Sequence, residues 1–228
     1  MSYVVAMIMA AGRGERFEGT APKQLALVYG RPMVAWSIER FADCPEIGEI
    51  VLVIPPDQAE SWRAAMAEPA GRHVSNLVGG GERRQESVRL GLEALPPQAT
   101  HVLIHDAARP CLTKELIDRV VQALGENDAV VPVVPAVDTL VVDTNGAVDA
   151  VVDRAHIAGV QTPQAFERQL ILGAHRKAHA DGLESSDDGS LVLAMGAEVK
   201  TIPGERMNVK VTYPEDIAIA ESILAMRK

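Results

Sequence analysis

Val4-Val5-Ala6-Met7-Ile8-Met9-Ala10-Ala11-Gly12-Arg13-Gly14-Glu15-Arg16-Phe17, followed shortly by Pro22-Lys23-Gln24, opens the chain with an apolar run that passes straight into a glycine and arginine loop. The short apolar run Val4 to Ala10 reads as the first strand. Glycine N–H groups in the loop can approach an anion closely, and Arg13, Arg16 and Lys23 supply positive charge beside them. The loop therefore reads as a triphosphate site, with a glycine-rich turn carrying solvated arginines as the competing reading. A dinucleotide fingerprint wants a third glycine where Phe17 stands, and a Walker loop wants a Gly-Lys-Ser/Thr triplet, which occurs nowhere in the chain.

Outward from this stretch, Val- and Ile-rich runs alternate with longer amphipathic ones. Helix is expected at Met33 to Phe41, strand at Glu49 to Ile54, helix at Ser61 to Ala67 and strand at Val74 to Val78. The alternation continues with a helix from about Glu82 to Leu95, the strand Val102 to His105, the helix Lys114 to Leu124 and the strand Ala129 to Val134. Strand then helix, repeated, predicts an α/β fold: a Rossmann-like, mostly parallel sheet with helices on both faces, whose ligands bind beyond the carboxyl ends of the strands. From Pro135 the pattern changes to Thr139–Val142, Asn145-Gly146 and Val148–Val152. Asn-Gly between apolar runs is a hairpin signal, because both residues accept positive φ. The hairpin either finishes the sheet or forms an arm that needs a partner. A helix at Phe166 to His179, a polar segment at Ser185 to Gly189, a short helix, the strand Glu198 to Ile202 and a last helix from Pro214 complete the reading.

A length of 228 residues favours one domain spanning 1–228. The net charge of −9 argues against a general nucleic-acid surface, since phosphate backbones select basic faces. Only Cys44 and Cys111 are present, far apart, which suggests neither a disulfide framework nor a cysteine zinc site and fits a cytoplasmic protein. No basic leader is read at the N-terminus, and the apolar runs are far shorter than a membrane span.

Among groups that can do chemistry, Asp106 follows a buried-looking strand and faces the glycine loop. A carboxylate there suits Mg²⁺, which takes one or two carboxylates along with phosphate oxygens and water; a helix cap or a salt bridge with Arg109 is the alternative. Gly79-Gly80-Gly81 before Glu82 forms a second glycine turn opening a helix, where a flat ligand such as a nucleobase can meet main-chain groups. Asn208-Val209-Lys210-Val211-Thr212 puts a lysine on a short extended segment. His175 and His179 share the spacing of helix-borne metal ligands, but Arg176 stands where a zinc protease would carry glutamate, so a solvated helix face is expected.

These pieces stand in the order that marks one family. Ala10-Ala11-Gly12-x-Gly14-x-Arg16, Pro22-Lys23-Gln24, Gly80-Gly81 with Arg84 and Ser87-Val88, Asp106-Ala107-Ala108-Arg109-Pro110, Asp138-Thr139, Asp153-Arg154, Thr162-Pro163-Gln164 and Asn208-x-Lys210-Val211-Thr212-x-Pro214-Glu215-Asp216 resemble the 2-C-methyl-D-erythritol 4-phosphate cytidylyltransferases over nearly the whole chain. At Ser185-Ser186-Asp187-Asp188 the family typically shows Thr-Asp-Asp or Thr-Asp-Glu; Ser186 keeps the hydroxyl.

The resemblance implies that methylerythritol phosphate and CTP give a cytidine diphosphate product and pyrophosphate in the non-mevalonate isoprenoid pathway, with Mg²⁺ bound by Asp106. It implies that Arg16, Lys23 and Lys210 are catalytic, that Ala10, Ala11, Gly12 and Gly14 bind nucleotide, and that Gly80, Gly81 and Ser87 frame the cytosine. Arg109, Thr162 and Ser186 would contact the second substrate. Residues 135–158 would be the arm of a homodimer, sending Thr139 and Arg154 to the neighbouring active site. Ribitol 5-phosphate cytidylyltransferase shares this chemistry and many of the segments, and a nucleotide-binding module without transferase activity is the competing class. The resemblance admits either a standalone enzyme or one domain of a fusion with the cyclodiphosphate synthase that acts later in the pathway.

Overall fold

The computed structural model describes residues 2–12, 17, 22–65 and 69–227. In chain order its elements are β1 (Val4–Met9), a small ribbon of β2 (Leu27–Val28) and β3 (Arg31–Pro32), α1 (Met33–Ala42), β4 (Ile47–Ile54), α2 (Ala59–Ala65), β5 (Val74–Gly79), α3 (Arg84–Glu93), β6 (His101–Asp106), α4 (Lys114–Leu124) and β7 (Ala129–Pro135). There follow β8 (Leu140–Thr144), β9 (Ala147–Val152), β10 (Ala158–Val160), β11 (Gln164–Glu167), α5 (Arg168–Asp181), α6 (Asp188–Ala194), β12 (Lys200–Pro203) and α7 (Asp216–Met226).

Every residue of β1 is buried, and successive side chains serve opposite faces of the sheet. Val4, Ala6 and Ile8 join a core built with α1, α2 and α4. Val5, Met7 and Met9 join another built with α3, α5 and α6. Full burial of each large apolar side chain contributes about 1.5–3 kcal/mol, so this central strand binds both helical layers to one sheet.

The fold is α/β, with a mostly parallel sheet as expected. β5, β4, β1 and β6 run side by side in parallel, so their carboxyl ends share one edge. β11 then enters antiparallel between β6 and β7, β10 pairs antiparallel with the far end of β7, and β12 runs parallel to it. The expected helix start at Phe166 is therefore corrected. Gln164–Glu167 is a strand, and α5 begins at Arg168, where the Glu167 carboxylate accepts the Leu170 N–H and starts the helix. Asn208–Thr212, the segment that carries Lys210, lies outside any strand or helix.

β8 and β9 form a separate two-stranded sheet. Asn145 and Gly146 at their turn both have positive φ, 56° and 83°, as the hairpin reading requires. The main sheet resumes where Ala158 pairs with Pro135. Val141, Val142, Val148 and Val151 on this ribbon are exposed.

Cys44 and Cys111 are both buried, the first in the core beneath α1 and the second beneath α7. Burial pushes each thiol up to about 11, so the reactive thiolate is scarce at neutral pH. Neither cysteine should react with an aromatic disulfide reagent at pH 8 in the folded protein, whereas both should react once guanidinium unfolds it. Labelling of the native protein at the rate of a free thiol would contradict this packing.

Candidate active site

The shared carboxyl edge of the parallel strands sets out the floor of a cavity of about 520 Å³. In register Met9 lies beside both Val53 and Asp106, so the chain leaving β1 toward Gly12 emerges next to the end of β6. Backbone bonds extend the sheet by one more step, from Ala10 N–H to Val53 O, Gly80 N–H to Ile54 O and Ala107 N–H to Met9 O. Ala11, Gly12, Lys23, Gly81, Ser87, Asp106 and Lys210 all line the cavity, which unites residues far apart in sequence. Gly80 lines an adjoining cavity with Pro55 and Pro56. Ala10 is fully buried behind the wall. Gly14 and Arg16, with Arg13, lie outside the described residues.

The two ends of the glycine loop are anchored. The buried Gln24 donates from Nε2 to Gly12 O at 2.9 Å, and Lys23 Nζ donates to Val211 O at 2.8 Å. Sequence reasoning assigned Gln24 no part; it was visible only as one letter of a motif. The second glycine turn is closed by Ser87, whose hydroxyl accepts the Gly81 N–H at 3.1 Å and donates to Arg83 O at 2.9 Å. Gly80 has to be glycine on steric grounds, since a Cβ there would stand 2.6 Å from Ala11 Cβ and 2.7 Å from Ser87 Oγ.

Asp106 is the electrostatic centre. Lys210 Nζ lies 2.6 Å from one of its oxygens and Arg84 Nε 3.3 Å from the other. Burial alone would raise the carboxyl, but the charges of Arg84 and Lys210 outweigh it and hold the group well below the usual carboxylate range. The alternative pairing with Arg109 does not form. Arg109 Nη1 donates instead to Asn208 O at 2.8 Å, joining β6 to the segment that carries Lys210. The Thr162 hydroxyl is buried; it accepts the Asp106 N–H at 3.1 Å and meets His105 Nδ1 at 3.0 Å. Burial drives the His105 imidazole down to about 4, which leaves it neutral at neutral pH.

Arg84 is the group that sequence reasoning undervalued. Its Nη2 lies 2.7 Å from Asp188 Oδ2, and Asp188 Oδ1 lies 3.1 Å from His175 Nε2. The expectation of a solvated face for His175 is thus overturned. The residue is 1% exposed because α6 packs over α5 at this point, while His179 remains exposed. Ser186 is exposed at the start of the same turn. Thr139 and Arg154 are exposed at the base of the β8–β9 ribbon, where Arg154 bonds to Val137 O, and neither lines the cavity.

The model of the 2-C-methyl-D-erythritol 4-phosphate cytidylyltransferase family matches residues 4–226. A bifunctional enzyme IspD/IspF of Rhodopseudomonas palustris is 46% identical over 96% of this chain and 55% of its own length. The 2-C-methyl-D-erythritol 4-phosphate cytidylyltransferase of Syntrophus aciditrophicus is 37% identical over 97% of this chain and 95% of its own. Among solved structures, the enzyme of that name from Thermus thermophilus superimposes with a TM-score of 0.82 at 35% identity, covering 97% of this chain and 98% of its own. The chain spans about half the length of the bifunctional relatives it matches.

The tight meeting of Gly80 with Ala11 and Ser87 fixes the second glycine turn against the chain leaving β1. Gly80→Ala should cost about 1–3 kcal/mol, the usual range for overpacking a close contact. Chemical denaturation checks this, and a variant as stable as the parent would show that Gly80 and Ala11 are free to part.

Proposed function

The chain belongs to the 2-C-methyl-D-erythritol 4-phosphate cytidylyltransferase family, and from that premise we propose that it transfers the CMP moiety of CTP to 2-C-methyl-D-erythritol 4-phosphate, releasing pyrophosphate. The observation that carries this reading is the gathering of Lys23, Arg84 and Lys210 on the wall of one cavity, the last two facing the buried Asp106, in a protein whose net charge is −9. Such a cavity concentrates positive charge where a triphosphate would lie.

A phosphate oxygen of the sugar alcohol attacks the α-phosphorus of CTP in line; that P–O bond forms as the bond from the α-phosphorus to the β-phosphate bridge breaks. No protein nucleophile takes part, so catalysis is positioning and charge stabilisation. Arg16 and Lys23 hold the triphosphate, Lys210 meets the α-phosphate, and Gly80, Gly81 and Ser87 frame the base. Arg109, Thr162 and Ser186 serve the second substrate. Asp106 suits Mg²⁺, being ionised and on the cavity wall. Among the described residues no cluster of three or more His, Cys, Asp or Glu side chains surrounds it, so a cation there draws its other ligands from phosphate and water, as Mg²⁺ does. Bound there, the ion would neutralise phosphate charge.

The enzyme works as a homodimer joined through the 135–158 arm, with Thr139 and Arg154 reaching the neighbouring site. The exposed valines of β8 and β9 support this, since an apolar ribbon without cover favours a partner. A cytoplasmic setting suits the two reduced thiols, and among the described residues no helix is long and apolar enough to cross a membrane.

Pyrophosphate release with CTP and Mg²⁺, measured with methylerythritol phosphate and in parallel with ribitol 5-phosphate, tests the assignment. Turnover should favour the first, fall away on chelation and return with Mg²⁺. Preference for ribitol phosphate would move the assignment to that activity, and release with neither would leave a binding module. Lys23→Ala should lower kcat by on the order of 10²- to 10³-fold with an unchanged circular dichroism spectrum, the usual effect of losing a donor to transition-state charge.

Mixing an Arg154→Ala chain with a Lys23→Ala chain should restore activity, because a hybrid dimer holds one site with both defects and one with neither. No recovery despite demonstrated subunit exchange would leave Arg154 serving its own chain.

A further inference from the structure

His175 and Asp188 form a buried pair outside the cavity that the reaction does not use. Their side chains are 0% and 1% exposed. His175 Nε2 lies 3.1 Å from Asp188 Oδ1, while Nδ1 has no hydrogen-bond partner. The one polar task of this imidazole is therefore to donate to Asp188. The other Asp188 oxygen takes Arg84 Nη2 at 2.7 Å, closer than the 3.3 Å between Arg84 Nε and Asp106. Arg84 is thus shared between two carboxylates, one inside the cavity and one behind it, and its shorter bond goes to the hidden one. Burying an acid and an imidazole is costly unless both are well paired, which makes an apolar filling the simpler way to close this space.

We infer that Asp188, backed by His175, is a positioning residue that draws the charge of Arg84 away from Asp106, so that Asp106, which Lys210 already faces at 2.6 Å, carries one competing cation fewer when it meets a divalent ion. Without the Asp188 charge, the guanidinium would fall wholly on Asp106 and compete with the cation. The same bond ties the turn carrying Ser186 to the nucleotide side of the cavity. This rests on reading Asp106 as the carboxylate that meets Mg²⁺ in a CTP site.

The test is calorimetric titration of CTP at a series of Mg²⁺ concentrations, with no second substrate and hence no turnover. For Asp188→Asn the Mg²⁺ needed for half of the affinity gain should rise about tenfold, the low end of what a charge ~4–6 Å away does to an ionic equilibrium. Affinity for CTP in chelator should change less. An unmoved Mg²⁺ curve in a folded Asp188→Asn protein would overturn the inference. If that variant does not fold, the double variant Arg84→Met with Asp188→Leu removes the competing cation along with its partner, a change that buried pairs tolerate. It should need no more Mg²⁺ than the parent, and a raised requirement would overturn the inference. A parent chain that binds no CTP even with Mg²⁺ would instead defeat the nucleotide-site reading, and this inference with it.

Discussion

A strand buried along its whole length leaves no face for water, and β1 imposes that condition on everything around it. Helices have to cover both sides, and neighbouring strands have to satisfy both edges. Parallel pairing with β4 and β6 meets the second demand and brings three carboxyl ends to one place. Gly12 and Asp106 line one cavity for this reason. Their closeness follows from strand register, and a slip by one residue would turn the side chains of β1 to the opposite layers.

Within that frame the site is a problem of handling charge at low exposure. Asp106 is stable as an anion only because Lys210 and Arg84 face it, and the two cations are tolerable together only because of the carboxylates beside them. Arg84 shows the balance from the other side. Burial would lower its proton affinity, yet Asp188 and Asp106 raise it above that of an ordinary guanidinium. A ligand with several negative charges finds cations already gathered and oriented, so little reorganisation is left for the moment of binding.

What the sequence showed clearly was whatever it encodes locally. α4 was legible to its ends because Thr113 caps it and Leu116, Ile117, Val120 and Leu124 keep helical spacing. The β8–β9 turn was legible from two letters, Asn145 and Gly146. β11 was not, because a four-residue strand runs into a helix without a break in the apolar pattern, and the cap that separates them is a glutamate rather than a more familiar Ser or Asp. His175 was misread for a different reason. Its spacing to His179 marks one face of a helix, but only the arrival of α6 decides that half of that face is covered. Arg84 and Asp188 stand far apart in sequence, and no local pattern announces their contact; the motif that contains Arg84 placed it near the site without saying whom it meets.

The bonds that close the cavity join distant parts of the chain: Lys23 to Val211, Arg84 to Asp188, and Asp106 to Lys210. The contact from Lys23 spans 188 residues, and each of the other two spans 104. Loops of that length close late, since their entropy is lost before the contact returns anything. On a ribosome, the β1–β6 half of the sheet can assemble while Val211 and Lys210 are still unmade. At that stage much of the layer of α1, α2 and α4 can pack while the layer that needs α5 and α6 is still open, and Asp106 and Arg84 lack their final neighbours. Competence to hold a charged ligand waits for Lys210 and Val211, whose partners Asp106 and Lys23 are made long before them.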